Sequence, residues 1–141
     1  MNDMMSWRVQ SPESMGFHSV ITPDTAACQV AQMFRLNLPK GASYHLQDDE
    51  RELHAVLIQG RAEVEQDALG KVPLEKLDSF YIPAQHSIQI TALEECIFYI
   101  AGAVFDGIGE PLIRKFDRSL PLGDIHQIHG DGTSRREVMF T

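Results

Sequence analysis

The chain has 141 residues, 43% of them apolar and 23% charged, with a formal net charge of −8 at neutral pH. That length suits one domain with a core of its own, and the balance excludes a disordered or fibrous chain. Twelve basic residues stand against twenty acidic ones and are scattered apart from Arg114-Lys115 and Arg135-Arg136, which excludes the basic face of a nucleic-acid binder.

The longest mainly apolar run, Cys96 to Phe105, is about half of what a membrane-spanning helix needs. The amino-terminal MNDMMSWRVQ carries no apolar stretch of the kind found in secretory signals. The expectation is a soluble, cytoplasmic protein with neither a membrane nor a nucleic-acid partner. Cys28 and Cys96 lie far apart in apolar runs and read as buried reduced thiols.

Residues 1–16 are polar except near Trp7 and Val9 and read as an arm or edge strand ending in the turn-forming SPESMG. Phe17 to Ile21 is a short apolar run stopped by Thr22-Pro23-Asp24. From Cys28 to Leu38, Val30, Gln32, Phe34, Leu36 and Leu38 share one parity, the mark of a strand with one buried face. Pro39-Lys40-Gly41 ends it, Tyr44 to Gln47 forms a short strand, and Asp48-Asp49-Glu50-Arg51 turns in solvent. Glu52 to Ile58 is apolar on both parities, as in a strand central to its sheet. Gln59-Gly60 then leads into Arg61 to Gln66, and the two strands read as a hairpin.

Val72 to Leu77 carries Pro73 and reads as an edge strand. Ser79 to Ile82 is a strand ended by Pro83, Ser87 to Ala92 alternates, and Cys96 to Phe105 is the most apolar strand of the chain. Residues 107–141 read as an irregular tail, rich in Gly and Pro, with Arg136 to Phe140 as a final strand. No stretch keeps a helical period. Many short strands between Gly, Pro, Asn and Asp imply an all-β barrel or sandwich of jelly-roll type.

Gly41 to Gly60, GASYHLQDDERELHAVLIQG, and Ser79 to Ile90, SFYIPAQHSIQI, resemble the two motifs of the cupin superfamily, small jelly-roll β-barrels. Gly41, His45, Glu52 and Gly60 follow the first motif and Pro83 opens the second. The second histidine of the first motif falls on Gln47, the glycine of the second on Gln85, and its metal-binding histidine on Ile88. The resemblance therefore leaves His45 and Glu52 of four usual ligands, too few for the family's metal. No cofactor is expected, a divalent metal on an unorthodox ligand set being the alternative.

A narrower resemblance spans nearly the whole chain as a single cupin domain, residues 1–141. RELHAVLIQGRAEVE, SFYIPAQHSIQITA and IHGDGTSRREV, in that order, are similar to the amino-terminal half of the 5-deoxyglucuronate isomerases of inositol catabolism, which belong with the 4-deoxy-5-hexosulose-uronate ketol-isomerases of pectin breakdown. Those relatives have two cupins, with the metal in the second. The resemblance implies a uronate-type sugar acid as ligand and aldose-ketose isomerisation as the reaction. Because cupin-type sheets have edges and apolar outer faces, a homodimer is expected.

Parity gives a separate reading. Glu52, His54, Val56 and Ile58 share one strand face, as do Ala84, His86, Ile88 and Ile90. If those faces line the barrel, His45, Gln47, Glu52, His54 and His86 meet in one pocket beside Ile88. Glu52 could then act as the base that moves a proton between adjacent carbons, with His45 or His54 as donor, or the three histidines and Glu52 could hold a metal. Otherwise Glu52 pairs with Arg51, Arg61 or a backbone amide, and the histidines are polar residues satisfied by neighbours. The loop Gly130 to Arg136 offers Arg135 and Arg136 to a carboxylate or phosphate, or is a solvated surface turn.

Overall fold

A strand with one apolar face cannot bury that face alone, so such strands pair into sheets that close on one another. A computed structural model describes residues 8–26, 28–105 and 109–139. Trp7 of the arm, Gly107 at the start of the tail and Phe140 of the final strand lie outside them. In chain order the strands are β1 (Gly16–Ile21), β2 (Ala31–Leu38), β3 (Ser43–Gln47), β4 (Arg51–Gln59), β5 (Ala62–Gln66), β6 (Gly70–Leu74), β7 (Ser79–Ile82), β8 (Ser87–Ala92), β9 (Cys96–Val104), β10 (Leu112–Arg114), β11 (His126–His129) and β12 (Arg136–Met139). Among the described residues no helix is long and apolar enough to cross a membrane.

The strands form a six-stranded sheet, β1-β2-β9-β4-β7-β10, a four-stranded sheet, β3-β8-β5-β6, and the separate pair β11-β12. Every pairing is antiparallel. The all-β jelly roll read from the turns is the fold of the chain.

The two larger sheets share one core. Phe34, Leu36 and Leu38 of β2, Leu53, Ala55 and Leu57 of β4, and Phe98 and Ile100 of β9 meet Leu46, Val64, Ile88 and Ile90 of the opposing sheet, all buried. Each fully buried Leu, Ile or Phe contributes about 1.5–3 kcal/mol relative to exposure. Phe17 and Tyr44 stack 5.5 Å apart at one end of this core.

Strand β4 is central to its sheet, but it pairs with β9 and β7, not with β5. The expected hairpin across Gln59-Gly60 does not form. Gly60 instead carries the chain from one sheet to the other, with φ at 86°. A Cβ there would stand 2.1 Å from the Glu95 carbonyl oxygen, so the crossing requires glycine. The hairpin in this region is β5-β6, whose edge strand carries Pro73 as expected.

The described part of the arm, at Ser11, Pro12 and Ser14, lies over the outer face of the six-stranded sheet. Asn37, only 2% exposed, donates through Nδ2 to the carbonyls of Pro12 at 2.9 Å and Ser14 at 2.8 Å. Both cysteines are free, as read, but Cys28 is only half-buried while Cys96 is in the core. Burial pushes the Cys96 thiol up, against the lowering effect of its contacts with the Glu94 and Arg61 carbonyls.

The tail holds more structure than its composition suggests. Strand β10 adds to β7 at the sheet edge, and β11 and β12 make a hairpin of their own. Asp78 fastens this tail to the body. Its buried carboxylate accepts from the backbone N–H of Glu75 at 2.8 Å and of Phe116 at 2.7 Å and pairs with Lys115. Burial alone would raise its pKa, but those N–H donors and the Lys115 ammonium hold it below the usual range. Replacing Asp78 by alanine takes the acceptor from the Glu75 and Phe116 N–H groups and the counter-charge from Lys115, which keeps only the Pro73 carbonyl. We expect Asp78→Ala to lower unfolding free energy by about 3 kcal/mol, measured by urea denaturation; a loss within error of zero would remove Asp78 as the tail's anchor.

Candidate functional site

The two-residue strand period decides which side chains reach the barrel interior. In β3 the inward residues are Tyr44 and Leu46, in β4 Leu53, Ala55 and Leu57, and in β8 Ile88, Ile90 and Ala92. His45, Gln47, Glu52 and His54 occupy the opposite parity. The pocket expected from the reverse assignment is absent: Ile88 is 1% exposed in a carbon-filled core, and the polar residues stand on outer faces.

These residues divide into separate groups. On the four-stranded sheet, His45 faces Gln89 across β3-β8, with Nδ1 at 3.2 Å from Gln89 Oε1 and Nε2 at 3.4 Å from Gln47 Oε1. Gln47 donates in turn to Asp49 at 3.2 Å. His86 lies in the exposed turn after Pro83, where its Nδ1–H donates to the Ala84 carbonyl at 3.1 Å.

On the six-stranded sheet, Glu52 and His54 share the outer face of β4. Glu52 accepts from the Tyr81 hydroxyl at 2.8 Å. The pairings expected of Glu52 are taken otherwise, since Arg51 pairs with Asp48 and Arg61 with Glu94. Burial raises the Tyr81 phenol, and the Glu52 hydrogen bond and charge raise it further. His54, directly opposite Tyr81, has its imidazole lowered by burial and then by the charge of Arg114. Glu52 and His54 are thus neighbours, as read, and His45 is on the other sheet. Tyr81 escaped notice because its partner stands two strand positions from the residue opposite it, a relation visible only once β4 and β7 are set in register.

Arg135 and Arg136 are exposed, around a 3₁₀ turn over Gly132–Ser134. Gly130 sits at φ 78°, where a Cβ would stand 2.5 Å from the Ser134 carbonyl oxygen, so the glycine serves a tight turn. Nearby, both ring nitrogens of His126 face acceptors, the Leu120 carbonyl and Glu137 Oε1, each at 2.7 Å. Those contacts, the Leu120 carbonyl foremost, raise the His126 pKa.

The donors present do not fit a barrel-centred metal. Among the described residues no three His, Cys, Asp or Glu side chains gather closely enough to hold an ion. The inward positions of β3, β4 and β8 present carbon, apart from the Tyr44 hydroxyl and, at the start of β4, the Arg51 guanidinium, which can only donate hydrogen bonds, and a divalent cation needs several N, O or S donors.

Two antiparallel sheets closed on a shared apolar core, with one strand pair appended, define a cupin-type jelly roll. The sequence profile of the KduI/IolB family matches residues 7–138, and the chain belongs to that family. A search of curated proteins returns no match.

Among solved structures, an IolB-like protein from Salmonella typhimurium LT2 is similar, with a TM-score of 0.71 and 19% identity over 92% of this chain. The present chain spans about half of that protein, 51% of its length. A cupin family protein with a double-stranded β-helix fold from Methanocaldococcus jannaschii aligns at a TM-score of 0.57 and 12% identity, covering 69% of this chain and 89% of its own. Bacillus subtilis oxalate decarboxylase, described by its Mn(II) centres, aligns at 0.56 and 21% identity over 72% of this chain and 29% of its own. At these identities the likeness is one of fold.

The turn that opens the second motif carries a local strain. Gln85, at the position of the motif's glycine, has φ at 66°, a left-handed conformation that costs a non-glycine residue about 1 kcal/mol. Gln85→Gly should raise stability by about 0.5–1 kcal/mol, read as a higher midpoint in thermal unfolding; an unchanged or lowered midpoint would show that the Gln85 side chain holds the turn.

Proposed function

We propose that this domain serves a sugar-acid isomerase-type protein as a non-catalytic assembly and ligand-binding module, the barrel-centred chemistry of cupins being absent from its interior. The observation that supports this reading is the carbon lining at Leu46, Leu53 and Ile88, on the strands that bear the cupin motifs. A polar substrate and its proton-transfer groups could enter that space only by displacing the core. The half-buried apolar residues Met33, Val56, Ile58 and Ile97 on the outer face of the six-stranded sheet favour pairing with a second copy. The free thiols fit a reducing, cytoplasmic compartment.

A second reading rests on Glu52, held by Tyr81 beside His54. There Glu52 would act without metal as the base of an aldose-ketose isomerisation, with His54 returning the proton.

One experiment separates the two. The purified chain is incubated with zinc, manganese, iron(II) and nickel, desalted, analysed for metal, and assayed with 5-deoxyglucuronate. The expected result is metal well below one equivalent and no turnover, with a dimer by sedimentation. One equivalent of metal that disappears in His45→Ala or Glu52→Ala would overturn the first reading. Metal-free turnover lost in Glu52→Gln would establish the second.

A further inference from the structure

On the outer face of the six-stranded sheet three polar side chains converge on one cleft. Ser79 of β7 stands opposite Arg114 of β10, and His54 of β4 stands opposite Tyr81 of β7. With Phe80, Tyr81 and Leu112 they line a cleft of about 140 Å³. Ser79 is 5% exposed, yet its hydroxyl enters no side-chain hydrogen bond among the described residues. Ser79 is one of the residues that line the cleft.

The His54 ring and the Arg114 guanidinium are likewise uncommitted. Among the described residues neither enters a side-chain hydrogen bond or an ion pair. Their neighbours are engaged: the Tyr81 hydroxyl donates to Glu52, and Lys115, next to Arg114 in the chain, pairs with Asp78.

We propose that this cleft binds a small carboxylate anion, received by the Arg114 guanidinium and the Ser79 hydroxyl, with the His54 ring N–H as a third donor. A guanidinium can only donate, and a serine hydroxyl and an imidazole N–H donate as well, so the set calls for an acceptor-rich ligand. The planar fork of arginine matches the two oxygens of a carboxylate. Leu112 supplies an apolar wall for a short carbon chain, and the volume admits a molecule of a few heavy atoms. The chain is acidic as a whole, so an anion is held there by these donors and not by a general positive field.

The charged and titratable groups facing His54 are Glu52 on its own strand, Tyr81 on β7 and Arg114 on β10, while β9 presents Ala101. A bound anion offsets the Arg114 charge that lowers the imidazole, so the His54 titration moves up on binding. The cleft lies outside the barrel, and its occupancy stands or falls separately from the assembly role proposed above.

The test is an NMR titration of the full chain, following backbone amides and the His54 ring, with acetate, glycolate, inorganic phosphate and chloride at constant ionic strength. Acetate and glycolate should give saturable shifts at Ser79–Tyr81 and Leu112–Arg114 and raise the His54 midpoint. Arg114→Gln should weaken binding about tenfold or more and Ser79→Ala severalfold, with amide spectra elsewhere unchanged. An equal response to chloride would reduce the effect to ionic strength and overturn the proposal. Binding of phosphate without acetate would assign the cleft to a tetrahedral oxyanion and overturn the carboxylate. Unchanged affinity in both folded variants would overturn it as well.

Discussion

The pleat of β3, β4 and β8 sends every second side chain into the space between the two sheets, and in this chain those positions are held by Tyr44, Leu46, Leu53, Ala55, Leu57, Ile88 and Ile90. Burying that set drives the sheets together and leaves the middle of the interior lined by carbon, with Tyr44, Arg51 and Gln66 as the polar groups on inward parity towards its ends. The polar residues on the same strands are displaced to the outside as a consequence. His45 and Gln47 emerge on one sheet and Glu52 and His54 on the other, because they belong to different layers of one sandwich.

Much of this could be read from the sequence. The turns at Pro39-Lys40-Gly41 and at Pro83, the edge position of the Pro73 strand and the buried face of Phe34, Leu36 and Leu38 all follow from local pattern, whereas the strand read from Cys28 begins at Ala31 and leaves Val30 exposed. The face assignment of β4 did not, because Leu53, Ala55 and Leu57 alternate with Val56 and Ile58 and either set could be inward. What decides is the company each set keeps across the sheets, a relation between residues distant in the chain. The same holds for Gly60: a short turn between two strands fits a hairpin and a crossing between sheets equally well, and only the approach of Glu95 tells them apart. Strand β10, three residues long, has no periodicity of its own and exists by pairing with β7.

Residues with unspent chemistry gather on the six-stranded sheet, where β4, β7 and β10 run side by side. Their row is assembled by long-range pairing, with Glu52 and His54 from one strand, Ser79 and Tyr81 from the next and Arg114 from the edge. No short motif could announce it.

The fastening of the tail has a further consequence. Asp78 ties Phe116 and Lys115 to the body and has a depressed pKa. Its contribution is present above its ordinary value of 3.8 and fades as pH falls through the lower folded value. His126 ties the β11-β12 hairpin to Leu120 and has a raised pKa, so its contribution is full below 6.5 and fades as pH rises through the higher folded value. The two clasps respond to protons in opposite senses. Hydrogen exchange in the tail should therefore be slowest relative to its intrinsic rate between about pH 3.8 and 6.5, and the segment should loosen from one end as pH falls through the folded pKa of Asp78 and from the other as it rises through that of His126.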